Sequence, residues 1–239
     1  MRPRLTRAVL QQAALLASTA MLLALPRSAQ AEADTQLWSE VKLTAKWGDR
    51  MDLIAASALR FADDLSHHDR TSYQLGFNFD ATTQLTVTPS YQSIATDPSD
   101  AVRSFEHRFS LVAALRVPFE WCEATFSTGL EYRLRHEQAD GWRLRPRLKL
   151  KRTVGPDAWG VAAYTADELF YDTRADEWTR NRLFVGIEKK LRRNWVLDLY
   201  YCRQHHLHSE DPDLNVIGIS MRLSPDTSAS DSRNASAGS

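Results

Sequence analysis

The sequence predicts an all-β protein: an antiparallel up-and-down transmembrane β-barrel of 10 to 12 strands. Three observations predict it. Apolar and polar residues alternate with period two along most of the chain after residue 31. The alternating segments run to about 10–13 residues, against a usual strand length of roughly five or six in soluble sheets. Short and long connectors also take turns between them, as in barrels with tight turns at one rim and loops at the other.

The first 31 residues are set aside as a signal peptide. Arg2, Arg4 and Arg7 precede an apolar stretch from Ala8 to Pro26, and Ala29-Gln30-Ala31 places small residues where a signal peptidase reads. Residues 32–224 are then the barrel and 225–239 a disordered tail, because "PDTSASDSRNASAGS" is poor in apolar residues. Removing the leader takes four of the 30 basic residues and none of the 30 acidic ones, leaving 26 against 30. A general nucleic-acid binder carries a basic surplus, so that class is excluded. The hydrophobic fraction of 43% is enough for a folded core. After residue 31 no apolar run approaches the roughly 20 residues of a spanning helix, so any membrane span must be made of strands.

Taken in order, the alternation marks strands at about 36–47, 51–62, 71–80, 83–94, 105–117, 124–135, 143–151, 159–170, 180–190, 194–204 and 214–223. In 105–117, Phe105, His107, Phe109, Leu111, Ala113, Leu115 and Val117 oppose Glu106, Arg108, Ser110 and Arg116. In "RLRPRLKLKR", Leu144, Pro146, Leu148 and Leu150 oppose Arg143, Arg145, Arg147, Lys149 and Lys151. A polar residue at every second place would break any helical stripe. Eleven is an odd count, whereas single-chain bacterial barrels have even ones, so ten or twelve strands are expected, with both chain ends at the periplasmic rim. Pro89 and Pro146 fall inside strands and are expected to cause a bulge or local distortion.

Alternation alone fits a soluble β domain as well. A membrane barrel differs in presenting its apolar face outward and enclosing the polar one. Aromatic residues near segment ends, among them Trp38, Trp47, Trp121, Trp142, Trp159, Phe170, Trp178, Trp195 and Tyr200, favour the membrane form, where they build girdles at both interfaces. The candidate site is accordingly a polar network in the lumen: Glu106, Arg108, Arg116, Glu131, Arg133, Arg143, Arg145, Arg147, Lys149, Glu168, Arg182, Glu188 and Asp198. Enclosed charges need partners, and Glu131 and Glu168 on the arms flanking 143–151 have the right parity to answer its cations.

The chain resembles a bacterial family of predicted outer-membrane β-barrels catalogued only as a domain of unknown function. The resemblance runs from about Gln36 to Leu223. It rests on "QLWSEVKL", "FEHRF", "GLEYRLR", "YTADELFYD", "TRNRLFVGIEKKL", "NWVLDLYYCRQ" and the closing "NVIGISMRL". It implies a barrel in the bacterial outer membrane, with outer-membrane lipids and the barrel assembly machinery as partners and no settled activity. The last strand departs from the common pattern by ending on Leu223-Ser224 rather than an aromatic residue.

His205, His206 and His208, followed by Glu210, Asp211 and Asp213, form the most suggestive chemical group, and His67 and His68 a second pair. Their spacing matches no required metal-ligand pattern and GxSxG is absent, so no metal, cofactor or catalytic residue is expected. A structural or lipid-interacting envelope role for a monomer leads. A narrow solute channel and a lipid-modifying hydrolase are the alternatives. Cys122 and Cys202 fall toward opposite rims, and no disulfide between them is expected.

Overall fold

The computed structural model describes residues 33–97, 102–136, 138–209 and 211–225. The signal peptide and all but the first residue of the expected tail lie outside them, as does Glu210.

Long alternating segments pair with their sequence neighbours to give eleven strands. These are β1 (Asp34–Lys46), β2 (Met51–Ala62), β3 (His67–Asp80), β4 (Leu85–Thr96), β5 (Ser104–Pro118) and β6 (Glu123–Arg135). β7 (Gly141–Thr153), β8 (Val161–Asp172), β9 (Glu177–Arg192), β10 (Trp195–His206) and β11 (Leu214–Leu223) complete the set. Every sequential pair is antiparallel, and β1 closes the barrel against β11 in parallel. All eleven periodic segments are therefore wall strands, and the parity argument for ten or twelve does not hold. With an odd number of strands the first and last must run the same way, so the barrel closes through one parallel seam. The chain ends, expected at one rim, lie outside the described residues, but the barrel itself starts and stops at different rims: β1 starts at the rim of the longer connectors and β11 ends at the other.

The alternation sorts as an inverted core. Leu75 and Phe77 of β3, Phe109 and Leu111 of β5, Leu148 of β7, Val185 and Ile187 of β9 and Ile217 of β11 are exposed on the outer wall. Glu131, Arg143, Glu168, Arg182 and Glu188 are buried inside it. Trp47, Trp121, Trp159 and Trp195 mark one end of the outer wall, and Trp142 and Trp178 lie toward the other. Trp38, Phe170 and Tyr200 correct the girdle assignment, since Trp38 and Phe170 are buried and all three lie on the inner face. They pack with charged side chains within the barrel.

Two connections read as long loops are tight four-residue turns, 63–66 and 173–176. The polar residues around them continue the strands as hairpin arms. Asp63, Asp64, Leu65 and Asp176 take the left-handed conformation that closes the two turns.

Each proline opens one ladder and keeps the other. Opposite Pro89 the β3–β4 pairing stops between Gly76↔Ser90 and Phe79↔Val87, while Pro89↔Leu111 remains paired to β5. Pro146 stays opposite Thr128 of β6 but has no partner on β8, where pairing stops between Leu144↔Tyr171 and Arg147↔Glu168. A missing N–H accounts for the loss on one side only. Register is unchanged across both gaps.

Inside the barrel, Tyr200 lies across from Gly218 on one neighbour and Gly186 on the other. A Cβ at Gly218 would sit 1.9 Å from the Tyr200 ring, and that ring also packs 5.7 Å from Phe184. Gly218→Ala is expected to cost about 1–3 kcal/mol through this overpacking. The measurement is the denaturant midpoint of the folded barrel in detergent; an unchanged midpoint would show that Tyr200 has room to move aside.

Candidate functional site

Strand β7 delivers the site because its parity turns Arg143, Arg145, Arg147, Lys149 and Lys151 to the lumen. Opposite charges arrive from both sides in register. Glu131 of β6 faces Arg143, and Glu168 of β8 faces Arg147.

The network forms two groups. In the first, toward the longer connectors, Glu131 accepts hydrogen bonds from Arg143 at 2.8 and 2.6 Å and from Arg145, with Arg108 at 3.7 Å. Arg145 also donates to Glu168 at 2.7 Å, and Arg182 stands 3.8 Å from the same carboxylate. Glu106 accepts from Arg108 at 2.8 Å and from Arg133 at 2.7 Å, and Arg133 reaches Asp172 at 3.7 Å. In the second group, Glu188 gathers Lys149 at 2.6 Å, Arg222 at 2.9 Å and Lys151 at 3.8 Å. Asp198 accepts from the Tyr164 hydroxyl at 3.0 Å, and Arg116 pairs with Glu123 at 3.7 Å near the short-turn rim. The thirteen residues singled out from sequence all lie on the inner wall, but they do not form one cluster. Arg116 in particular is largely exposed at the mouth.

Aromatic faces carry part of the cationic load. Phe170, almost wholly buried, has the guanidiniums of Arg143, Arg145, Arg180 and Arg182 at 5.2, 5.0, 5.7 and 4.7 Å from its ring centre. Arg147 lies over Phe184 at 4.7 Å and Lys149 over Tyr164 at 3.9 Å. Behind them, Trp38, Tyr164, Ala166, Phe184, Cys202 and Val216 form a buried apolar cluster inside the barrel. A polar cavity of about 920 Å³ opens at the short-turn rim and reaches inward as far as Glu188, Lys151 and Arg222.

Two lumen cations were missed by sequence reasoning, Arg70 and Arg180: Arg70 falls at the end of a segment that reads as a loop, and Arg180 begins a strand. Period-two parity, carried to the true strand ends, is the signal that finds them. His107 faces outward, as its place in the apolar set of 105–117 implies, and its Nδ1 is 2.7 Å from the Tyr91 hydroxyl.

The loop histidines do not converge. His205 Nδ1 is 2.7 Å from Asp213 and His206 Nδ1 3.3 Å from Asp211, while His67 Nε2 lies 2.5 Å from the carbonyl of Asp97. Burial pushes Asp213 up, but hydrogen bonds from His205 and Arg203 outweigh it and hold the carboxyl below the usual carboxylate range. Among the described residues no group of three metal-ligating side chains occurs. Ser209 accepts from the Asp211 amide and Ser66 donates to the Asp63 carbonyl; among the described residues neither hydrogen-bonds a histidine. Cys122 and Cys202 are both free thiols.

The class is thus a closed β-barrel with an apolar outer wall and an enclosed ion-pair network. More particularly, the chain belongs to the family described as "Protein of unknown function (DUF2490)", whose model matches residues 35–215. No curated protein matches it. A solved chain described under "Unveiling the Mechanism Behind the in-meso Crystallization of Membrane Proteins" is similar at 12% identity with a TM-score of 0.39, covering 80% of this chain and 81% of that one.

Glu131 is the most deeply buried carboxylate and answers three arginines. Glu131→Gln is expected to destabilise the barrel by about 3–5 kcal/mol, since it strands buried cations. Denaturant unfolding checks this, with Glu123→Gln, whose pairs with Arg116 and Lys151 lie half-exposed at the rim, as a control expected to cost less, about 1 kcal/mol.

Proposed function

We propose that this chain is an integral outer-membrane β-barrel with a structural or lipid-interacting role in the bacterial envelope. The direction of the alternation carries the reading: leucine, isoleucine, valine and phenylalanine are exposed on the outer wall of most strands, while the charges, with exceptions such as Asp167 of β8, are enclosed. A water-soluble barrel with that outer wall would expose a large contiguous apolar surface and associate through it. In a bilayer the same wall is solvated by acyl chains, and closure leaves no unpaired strand edge. The aromatic residues toward each end of the outer wall then sit at the two interfaces.

An occluded interior favours this role over a general pore. The cavity at the short-turn rim ends at the Glu188 ion pairs, beyond which the aromatic cluster and the Glu131 group occupy the lumen. Partners on this reading are the surrounding lipids and the machinery that inserts barrels.

Two measurements test it. The protein is expected to remain with washed outer membranes and to migrate differently in gels before and after boiling; recovery as a soluble periplasmic protein would overturn the assignment. Leu111→Arg, on the outer wall midway along β5, is expected to cost about 2–4 kcal/mol at bilayer mid-depth. Ser110→Arg, on the inner wall beside it, serves as the comparison. If the two cost the same in lipid vesicles, the outer wall does not face lipid.

A further inference from the structure

The first lumen group holds more arginines than its carboxylates can answer. Glu106, Glu131, Glu168 and Asp172 are already engaged by Arg108, Arg133, Arg143, Arg145 and Arg182. Among the described residues, Arg60 and Arg180 make no ion pair, Arg147 faces Glu168 across the ladder without reaching ion-pair distance, and Arg70 has only its chain neighbour Asp69 at 3.9 Å. The surplus is concentrated rather than scattered. Arg60 and Arg70 sit directly opposite each other on β2 and β3. Arg60 and Arg182 stack on the same Trp38 ring at 3.9 and 4.8 Å. Arg180 stands within electrostatic reach of Arg182, Arg133, Arg70 and Arg108, and its Nε is buried with no hydrogen-bond acceptor. The Nε of Arg147 is likewise buried and unpartnered.

Like charges held face to face in an enclosed space destabilise the fold unless something compensates them. The cations that converge here are all arginines, whereas lysines supply Lys149 and Lys151 to the other group. A guanidinium presents a planar fork of donors that matches an oxyanion two bonds at a time, which a lysine ammonium does not. We propose that Arg60, Arg70, Arg180 and Arg182 form a binding site in the lumen for a phosphoryl group. A phosphate monoester brings about −1.5 to −2 of charge and three acceptor oxygens, enough to engage several guanidiniums at once. The group comes either from a free phosphorylated solute or from a lipid headgroup at the rim. The site depends on the enclosed lumen and not on which membrane holds the barrel, so membrane fractionation and anion binding fail independently.

Trp38 under Arg60 and Arg182 supplies the reporter. The full barrel in neutral detergent is titrated with inorganic phosphate and with tripolyphosphate, against sodium chloride at matched ionic strength, following tryptophan emission. A saturable change is expected with the phosphates and not with chloride, and Trp38→Phe should remove it. Arg60→Gln with Arg180→Gln should weaken binding by about tenfold or more. The unliganded double variant should be at least as resistant to denaturant as the parent, because repulsion has been relieved. If the double variant fails to show the boiled/unboiled gel shift of a folded barrel, Arg70→Gln alone replaces it with the same expectation of weakened binding. Competition by micelles carrying a phosphatidyl lipid identifies a headgroup; saturation by inorganic phosphate without such competition identifies a soluble ligand. Absence of a saturable phosphate signal, an equal response to chloride, or unchanged affinity in the arginine variants would overturn the proposal.

Discussion

The structure depends on one constraint: charge enclosed by the wall must be answered, by charge from a neighbouring strand or by an aromatic face. β7 contributes five basic residues to the lumen, and β6, β8 and β9 contribute Glu131, Glu168 and Glu188 to meet them. The constraint reaches beyond electrostatics. Glu131↔Arg143 and Glu168↔Arg147 are directly opposed in the ladder, so a slip of one residue would send the arginines into the outer wall and Leu144 and Leu148 into the lumen. Register, strand order and interior filling are therefore set by the same side chains.

Ion pairs alone do not fill the space, and aromatic residues take the rest. Phe170 is the clearest case, with four guanidiniums arrayed over it. Each such contact contributes about 0.5–2 kcal/mol, the upper end where the cation is desolvated. An aromatic face also lets cations approach one another without a carboxylate between them. That is how the lumen tolerates more arginines than acids, and why the inward-facing rings of Trp38, Phe170, Phe184 and Tyr200 belong to the site rather than to a girdle.

Much of this was legible in the sequence, for a physical reason. Side chains in a strand alternate strictly, so Leu144 and Arg143 declare opposite faces without any knowledge of the fold, and eleven segments could be marked from parity alone. Partners across a hairpin could also be read, because Glu131 is close to Arg143 through one turn. Strand ends could not. The arms above the apolar wall are polar on both faces, so the residues around 63–70 and 171–178 look like loops while they extend the ladders. Closure was equally hidden, since nothing local distinguishes a parallel seam from an antiparallel one. Contacts across the lumen between distant strands, such as Arg182 on Trp38, have no sequence signal at all.

The parallel seam explains how the interior is divided. Parallel pairing is slightly weaker per residue than antiparallel pairing, and here it also sets Lys42 directly against Arg222 near the short-turn rim. The wall on this side is backed from within by Trp38 of β1, Val216 of β11, Cys202 of β10 and Phe184 of β9, which pack together and are buried. Glu188 reaches over from β9 to take up Arg222. The seam is thus held by apolar packing where the charged network is absent, and the network occupies the opposite wall, where β5 to β8 pair antiparallel. Arg147, Lys149 and Arg182 join the two halves by laying their charges on the rings behind the seam. Opening a continuous path would require separating those cations from their aromatic supports, and Lys149 and Arg182 from their carboxylates as well. A barrel organised this way is built to keep its centre closed and to present charge on the approach to it.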